Sequence, residues 1–379
     1  MIKRIGLGLL LTGVVVFCLP TVHHLLRVWR PGPVVNRDSQ AWKARVALIA
    51  RAQVFVRPAP AIAGLDMSHP SNDPDPFDRA NLVTCRYVPK PITGTTPKFF
   101  CRLPDGELIK VKYGPTPERL AETAATRLLA ALGFGADRVT LLPRLRCIGC
   151  PARPYETRQI AESYFASWLL DLVTGGDTPR EFTWVSAERK LPGRAIEVDG
   201  FEGWDYYELV GVDPSKGGAS RAEVDALTLM SVFLGHWDNK SSNQRLLCEA
   251  GPGGGDPSAD CARPLLMLQD VGATFGPSSV DESHWAAAPI WADAGRCLVA
   301  LGHSDRTTDV MPISEPGRLL LGAKLRQLSD AQIQTIFTSA NFPDPATGEM
   351  NGRVSLWVKA FEDKVRQIAD RPACPAVQK

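Results

Sequence analysis

Two short stretches of the chain hold side chains whose types and spacing could do chemistry together. In residues 233–247, Asp238 is followed by Lys240 two residues on and by Asn243 five residues on. An insertion rich in Gly and Asp comes next. The chain resumes at 265–272 as an apolar run ending in one carboxylate, Asp270, with Gly272 two residues later. Transfer of a phosphoryl group needs one carboxylate to orient the attacking hydroxyl, and an amide oxygen with a second carboxylate to hold a divalent ion against the phosphates. Asn243 and Asp270 are hard oxygen donors of the kind such an ion takes. A polar turn and a strand-terminal Asp offer the same residues without chemistry, so the weight falls on the elements that must position them.

Upstream, residues 94–103 read as a strand, Pro104-Asp105-Gly106 as a turn, and 108–114 as a second strand. Pro presets φ and Gly accepts positive φ, which is why that triplet turns the chain. The strand period of two puts Lys110 and Lys112 on one face. A helix follows, with Thr116 as its cap, Pro117 in the first turn and Gly133 closing it. Leu120, Ala124, Leu128 and Leu132 form its apolar stripe, and Glu122 lies at the stripe's edge, where a charge is costly unless paired. A strand lysine is the natural partner, although a lone helix glutamate is usually solvated. A further helix over 222–234 leads straight into the Asp238 segment.

These residues resemble the catalytic core of the protein kinase-like fold. His236, Asp238, Lys240 and Asn243 lie over the H-R-D-L-K-x-x-N loop, with Trp237 in place of Arg, and Asp270-Val271-Gly272 resembles D-F-G with Val271 in place of Phe. Gly94-Thr95-Thr96, the Pro-Asp-Gly turn, the lysine strand and the helix from Ala121 to Leu128 resemble the N-lobe of secretory-pathway kinases. Those enzymes act in the Golgi lumen, and their wider group includes HipA-like and phosphatidylinositol kinase-like proteins. The likeness covers about half the chain, from near residue 80 to 276. It implies a two-lobed α+β fold with a small β-rich N-lobe carrying one key helix, and a larger helical C-lobe. It implies ATP with Mg2+ or Mn2+ as cofactors. Gly94, Thr95, Thr96 and Lys98 would cover the phosphates, and Lys112, or else Lys110, would contact them. Glu122 would orient that lysine, Asp238 would act as base with Lys240 beside it, and Asn243 and Asp270 would hold the metal. Trp237 implies that phosphorylation of an activation loop does not regulate the site.

The 379 residues carry a net charge of +2, which gives no basic field for nucleic acid. Lys3 and Arg4 precede an apolar run over 5–22, about the minimum length for a membrane helix and without a clear cleavage site, so a signal anchor is expected. Of nine cysteines, Cys18 lies in that run and the others are spread over the folded part, as in proteins of oxidising compartments. A periplasmic or luminal domain is therefore expected. Cys248 and Cys261 bracket the insertion and predict a bridge at its base, and Cys85 with Cys101 could join neighbouring segments. Cys147-x-x-Cys150 reads as a local clip, a redox pair or half a zinc site, and the lack of a second such pair or of paired His weighs against zinc. Cys297 and Cys374 are left by elimination.

The expected organisation is an anchor over 1–30, a helical stretch and Pro/Asp-rich linker over 31–80, the N-lobe and inter-lobe region over 81–205, and the C-lobe over 206–379. Helices are predicted over 40–63 and 155–174, loops and short strands over 177–203, a Trp-rich loop after Gly276, a capping box at Ser329 and an amphipathic C-terminal helix. His284 and His303 read as structural or surface groups. No Gly-x-Ser-x-Gly or HExxH element supports a hydrolase. The function expected is phosphoryl transfer to a hydroxyl of a protein, sugar or lipid. A pseudokinase-type binding module and an AMP transferase remain as alternatives.

Overall fold

The computed structural model describes residues 36–163, 176–198, 201–249, 261, 263–276, 280–302, 310–345, 347–349 and 353–375. The apolar run over 5–22, the insertion after Cys248, the second half of the helix expected over 155–174 and His303 lie outside them. Among the described residues no helix is long and apolar enough to cross a membrane. The fold is mixed α+β. Its chain forms two compact units, a smaller one of residues 80–114 and 142–185, and a larger one of residues 36–79, 115–141 and 186 onward.

Strands β1 (Val83–Val88), β2 (Lys98–Arg102), β3 (Leu108–Lys112), β4 (Arg138–Ile148) and β5 (Pro179–Arg189) form a closed barrel in the order β1-β2-β3-β5-β4. The line between the units falls within β4 and β5. The period of two puts Cys85, Tyr87, Phe99, Cys101, Ile109 and Val111 inside, and leaves Arg86 and Arg102 exposed. The predicted turn is present: Gly106 has φ +93°, its N–H donates to the Leu103 carbonyl at 3.0 Å, and the Leu103 N–H donates to Glu107 at 2.8 Å. Of the loops and short strands expected over 177–203, β6 (Gly193–Ala195) is such a short strand, but residues 179–189 form one long strand, β5. Its last five residues are all buried, so no alternation marked it as a strand. Helix α1 (Gln40–Ala50) belongs to the larger unit, and α3 (Pro154–Ser163) to the smaller.

Helix α1 stops at Ala50, well short of residue 63. The chain then runs extended, with Gln53 bridged to Leu265 and Phe55 to Phe134. The Pro/Asp-rich stretch that follows is packed, so residues 40–79 belong to the folded part rather than serving as a linker before Asn81. Asp73, 8% exposed, pairs there with Arg138 at 3.4 Å and Arg189 at 3.2 Å. Helix α2 (Glu118–Ala131), expected with the β-rich lobe, groups with the larger unit. The causes are visible: Arg127 is buried and donates to the Ser339 hydroxyl, and Lys324 donates to the Leu132 carbonyl at 2.9 Å. Pro117 itself takes the cap position, while the Thr116 hydroxyl accepts the Glu118 N–H at 3.4 Å.

The larger unit continues with β6 (Gly193–Ala195), α4 (Arg221–Leu234), β7 (Gln244–Glu249), β8 (Pro264–Leu268), α5 (Glu282–Ala287), β9 (Leu298–Ala300), β10 (Val310–Pro312), α6 (Glu315–Leu325), α7 (Asp330–Ser339) and α8 (Ser355–Ala369). Strands β6, β7 and β8 make an antiparallel sheet in that order, and β9 pairs with β10. Ser329 and Gln332 form the expected capping box of α7. Phe233, Phe275, Trp285, Phe337, Phe342, Trp357 and Phe361 pack into one buried aromatic core, for example Phe342 edge-on to Trp357 at 4.7 Å and Phe233 edge-on to Phe361 at 5.0 Å. Four disulfides are present: Cys85–Cys101, Cys147–Cys150, Cys248–Cys261 and Cys297–Cys374.

Candidate active site

Helix α4 positions the segment that carries Asp238, Lys240 and Asn243. It ends at Gly235 in the left-handed region (φ +65°), which lets the His236 N–H turn back to the Ser231 carbonyl at 3.0 Å. A Cβ on Gly235 would also lie 3.3 Å from the Trp285 ring. The aromatic core holds the turn from behind, since Trp285 donates its indole N–H to the Phe233 carbonyl at 2.9 Å. The Phe275 N–H donates to the Leu234 carbonyl at 2.8 Å, and the Trp237 N–H to Ala273 at 3.3 Å. The chain after Asp270 is thereby laced to the chain before Asp238.

Within the segment, Asn243 donates to both the Asp238 carbonyl and Asp238 Oδ2, each at 2.8 Å. Lys240 Nζ donates to the same Oδ2 at 2.9 Å. The carboxylate is held in one rotamer by two donors on one oxygen. Its other oxygen, Oδ1, is the one left to meet a hydroxyl. The Ser241–Asn243 turn then carries Asn243 against the end of β8: the Gln269 and Asp270 N–H groups both donate to the Asn243 carbonyl, at 3.0 and 3.1 Å. The turn thus joins Asp238, Lys240 and Asn243 through their side chains and sets the main chain of Asp270 against Asn243.

His236 is 2% exposed, and burial drives its pKa down to about 4 against the opposing pull of Asp270 and the Ala273 main chain. At neutral pH it is an uncharged supporting group. Several further supports carried no sequence signal. Asn239 donates to the His236 carbonyl and accepts from the Tyr206 hydroxyl at 3.2 Å, and that hydroxyl is 2.6 Å from Ser231 Oγ. Gly203 sits so close that a Cβ would lie 1.9 Å from the Ser241 carbonyl oxygen. At Gly272 a Cβ would be 3.1 Å from Glu118 Cβ, so the start of α2 abuts the residues after Asp270. Glu122, one turn along α2, is 1% exposed. A cavity of about 450 Å³, lined by His236, Trp237, Trp285, Pro289 and Gly302 among others, opens beside the loop.

The remaining expected residues lie in the smaller unit. Gly94 has φ +79°, and a Cβ there would be 3.2 Å from Lys98 Nζ, so the lysine ammonium lies over the glycine turn. Helix α3 fixes that turn, because the Tyr155 hydroxyl donates to the Gly94 carbonyl at 2.7 Å. Thr96 is buried and Thr95 exposed. Lys112 is 1% exposed, whereas Lys110 is only half-buried. A cation so deeply placed needs compensation that a surface lysine does not, which singles out Lys112 of the two. Exposed His284 pairs with Asp281 at 2.8 Å and caps nothing catalytic.

No family model matches the chain, and no curated protein does. Among solved structures, the crystal structure of the Helicobacter pylori proinflammatory kinase CtkA aligns over 76% of this chain and 94% of its own, at 11% identity and a TM-score of 0.40. That likeness is too slight to show a fold, and the assembled side chains stand as the stronger observation.

Proposed function

We propose that the chain is a protein kinase-like phosphotransferase that moves the γ-phosphoryl group of ATP to a hydroxyl. The observation that supports it most is the shared Oδ2 of Asp238, held by Asn243 and Lys240 at 2.8 and 2.9 Å, with Asp270 brought alongside by the Asn243 carbonyl. Oδ1 of Asp238 takes the proton of the attacking hydroxyl, and the two donors on Oδ2 keep that carboxylate aimed. Lys240, half-exposed, places positive charge where the transferred group gathers negative charge.

Magnesium fits the donor set. Asn243 uses its amide nitrogen on Asp238, which leaves its Oδ1 as an oxygen ligand beside the Asp270 carboxylate. Manganese suits the same oxygens. When bound, the ion neutralises phosphate charge and orients the γ-group. Gly94, Thr95, Thr96 and Lys98 are assigned to the phosphates together with Lys112, and Glu122 to the support of that lysine. Whether Lys112 and Glu122 act as a unit is read by a double-mutant cycle on turnover.

We further place the folded part outside the cytoplasm, a reading supported by the four disulfides, with the apolar run over 5–22 as its anchor. Alkaline phosphatase fused after residue 375 is expected to be active only if that orientation holds.

The test is incubation of the purified chain with ATP labelled at the γ-position, with magnesium and without. Magnesium-dependent labelling that Asp238→Ala abolishes is expected. Labelling retained in that variant would sink the assignment. Transfer of an AMP group, read by mass, would move the function to nucleotidyl transfer, and absence of nucleotide binding would leave a docking module.

A further inference from the structure

Four cysteines that form two disulfides meet in one place. Cys85 on β1 stands directly opposite Cys147 on β4 in their parallel pairing. Cys101 on β2 pairs with Tyr87, two residues along β1 from Cys85 and on the same inner face. Cys150 follows Cys147 by three residues, after a turn in which Gly149 has φ +75°. All four are buried, none more than 5% exposed. The sulfurs of Cys85, Cys101 and Cys147 lie within 4.8 Å of one another, and Cys101 Sγ is 3.8 Å from Cys147 Sγ although these two are not bonded.

That spacing has a second chemical meaning. Four thiolates about 2.3 Å from a central zinc ion at tetrahedral angles stand about 3.8 Å apart. The objection raised by the sequence, that Cys147-x-x-Cys150 lacked a second pair, is answered by Cys85 and Cys101, which arrive from two other strands. We infer that the reduced chain holds Zn2+ at Cys85, Cys101, Cys147 and Cys150, and that the two disulfides of the barrel are the oxidised form of this metal site. The surroundings suit a site with two net negative charges. Arg86, Arg102 and Arg146, next to the three strand cysteines, lie on the outer face of the barrel by the strand period of two, and only Arg180 reaches the clip directly, donating Nε to the Cys150 carbonyl at 2.9 Å. Arg86 and Arg146 are shared with Asp177 and Glu181, at 3.1 and 2.7 Å.

The two states interconvert with a balanced exchange. Two molecules of an oxidising disulfide take four electrons from the zinc tetrathiolate, two S–S bonds form in the barrel, and four reductant thiolates and one Zn2+ leave. Two molecules of a dithiol and one Zn2+ run the exchange backward: each dithiol closes to its own disulfide, both barrel S–S bonds open, and four protons leave as the four thiolates take the zinc. The barrel is thus cross-linked on either side of export, by metal before oxidation and by sulfur after it.

The test uses the full chain, reduced anaerobically with a phosphine and titrated with Co2+. The expected result is the intense visible spectrum of a tetrahedral cobalt thiolate centre, saturating at one ion per chain and bleached by one equivalent of Zn2+, which binds such ligands more tightly. The double variants Cys248→Ser/Cys261→Ser and Cys297→Ser/Cys374→Ser keep the spectrum, and Cys101→Ser loses it. Chain made in a reducing cytoplasm carries one zinc by elemental analysis, and exported chain carries none. A reduced wild-type chain without the cobalt spectrum overturns the proposal, as does a spectrum that survives in Cys101→Ser.

Discussion

The smaller unit places two disulfides in a five-stranded barrel, and they close short spans of 16 and 3 residues. The larger unit surrounds seven packed aromatic rings, and its Cys297–Cys374 bridge spans 77 residues. Loop-closure entropy predicts about 2 kcal/mol for the shortest of these bridges and about 4 kcal/mol for the longest. Short bridges in the barrel therefore restrain the unfolded chain less than the long bridge does. The larger unit has an apolar core without its sulfur, and its two bridges, Cys248–Cys261 and Cys297–Cys374, are additions to it. The residues proposed as base and metal ligands, Asp238, Asn243 and Asp270, all belong to the larger unit.

The comparison can be broken in several places. The largest effect is expected from Asp238→Asn, which should lower phosphoryl transfer by about 10²- to 10⁴-fold. Its melting temperature should stay within about 2 °C of the parent, and a parallel loss of both would mean the residue is structural. Removing a ring from the aromatic core with Phe337→Ala should cost about 3–5 kcal/mol in urea unfolding of the larger unit. Among the bridges, Cys297→Ser/Cys374→Ser should destabilise by about 4 kcal/mol and Cys147→Ser/Cys150→Ser by about 2 kcal/mol in the oxidised protein. The reverse order would show that the barrel, not the aromatic unit, depends on its cross-links.

Acidification sharpens the contrast further. His236 has a folded pKa of about 4, below its ordinary value of 6.5. Its folded form therefore binds fewer protons than its unfolded form between those values, and stability falls as pH drops from 6.5 toward 4 and levels below. The drop should be about 3 kcal/mol and should shrink in His236→Gln, followed by melting against pH. The smallest effect belongs to the exposed His284–Asp281 pair, where His284→Ala should change stability by less than about 0.5 kcal/mol.

The residues that do the proposed chemistry were legible because chemistry constrains both their type and their spacing. Asp238, Lys240 and Asn243 lie on one tight turn, so separation along the chain translates into separation in space. Helices α4 and α7 were equally legible, α4 from its apolar spacing and α7 from the capping box at Ser329, both local signals. Strand β5 was not, because burial on both faces erases alternation. Neither was the packing of residues 51–79, whose fit depends on Leu265, Arg138 and Gln332, hundreds of residues away or nearly so in sequence for two of them. Gly203 and Tyr206 support the Asp238–Asn243 turn from a distance for the same reason, and nothing in their own neighbourhood announces it.

Helix α1 begins at the cap Ser39, whose hydroxyl accepts the Trp42 N–H at 3.0 Å, and its Arg45 grips Glu208 at 2.8 Å and the Gly203 carbonyl at 2.7 Å. Gly203 is in turn wedged against Ser241 and Gln244, which flank Asn243. A pull on the backbone at residue 36 would therefore not be absorbed at the rim of the unit. It would run along α1 and be shared between the Arg45 guanidinium and the main-chain ties of Ala50 and Ala52 to Asp213 and Ala219. Part of any tension on that end of α1 is therefore borne, through Arg45 and Gly203, by the turn that carries Asn243.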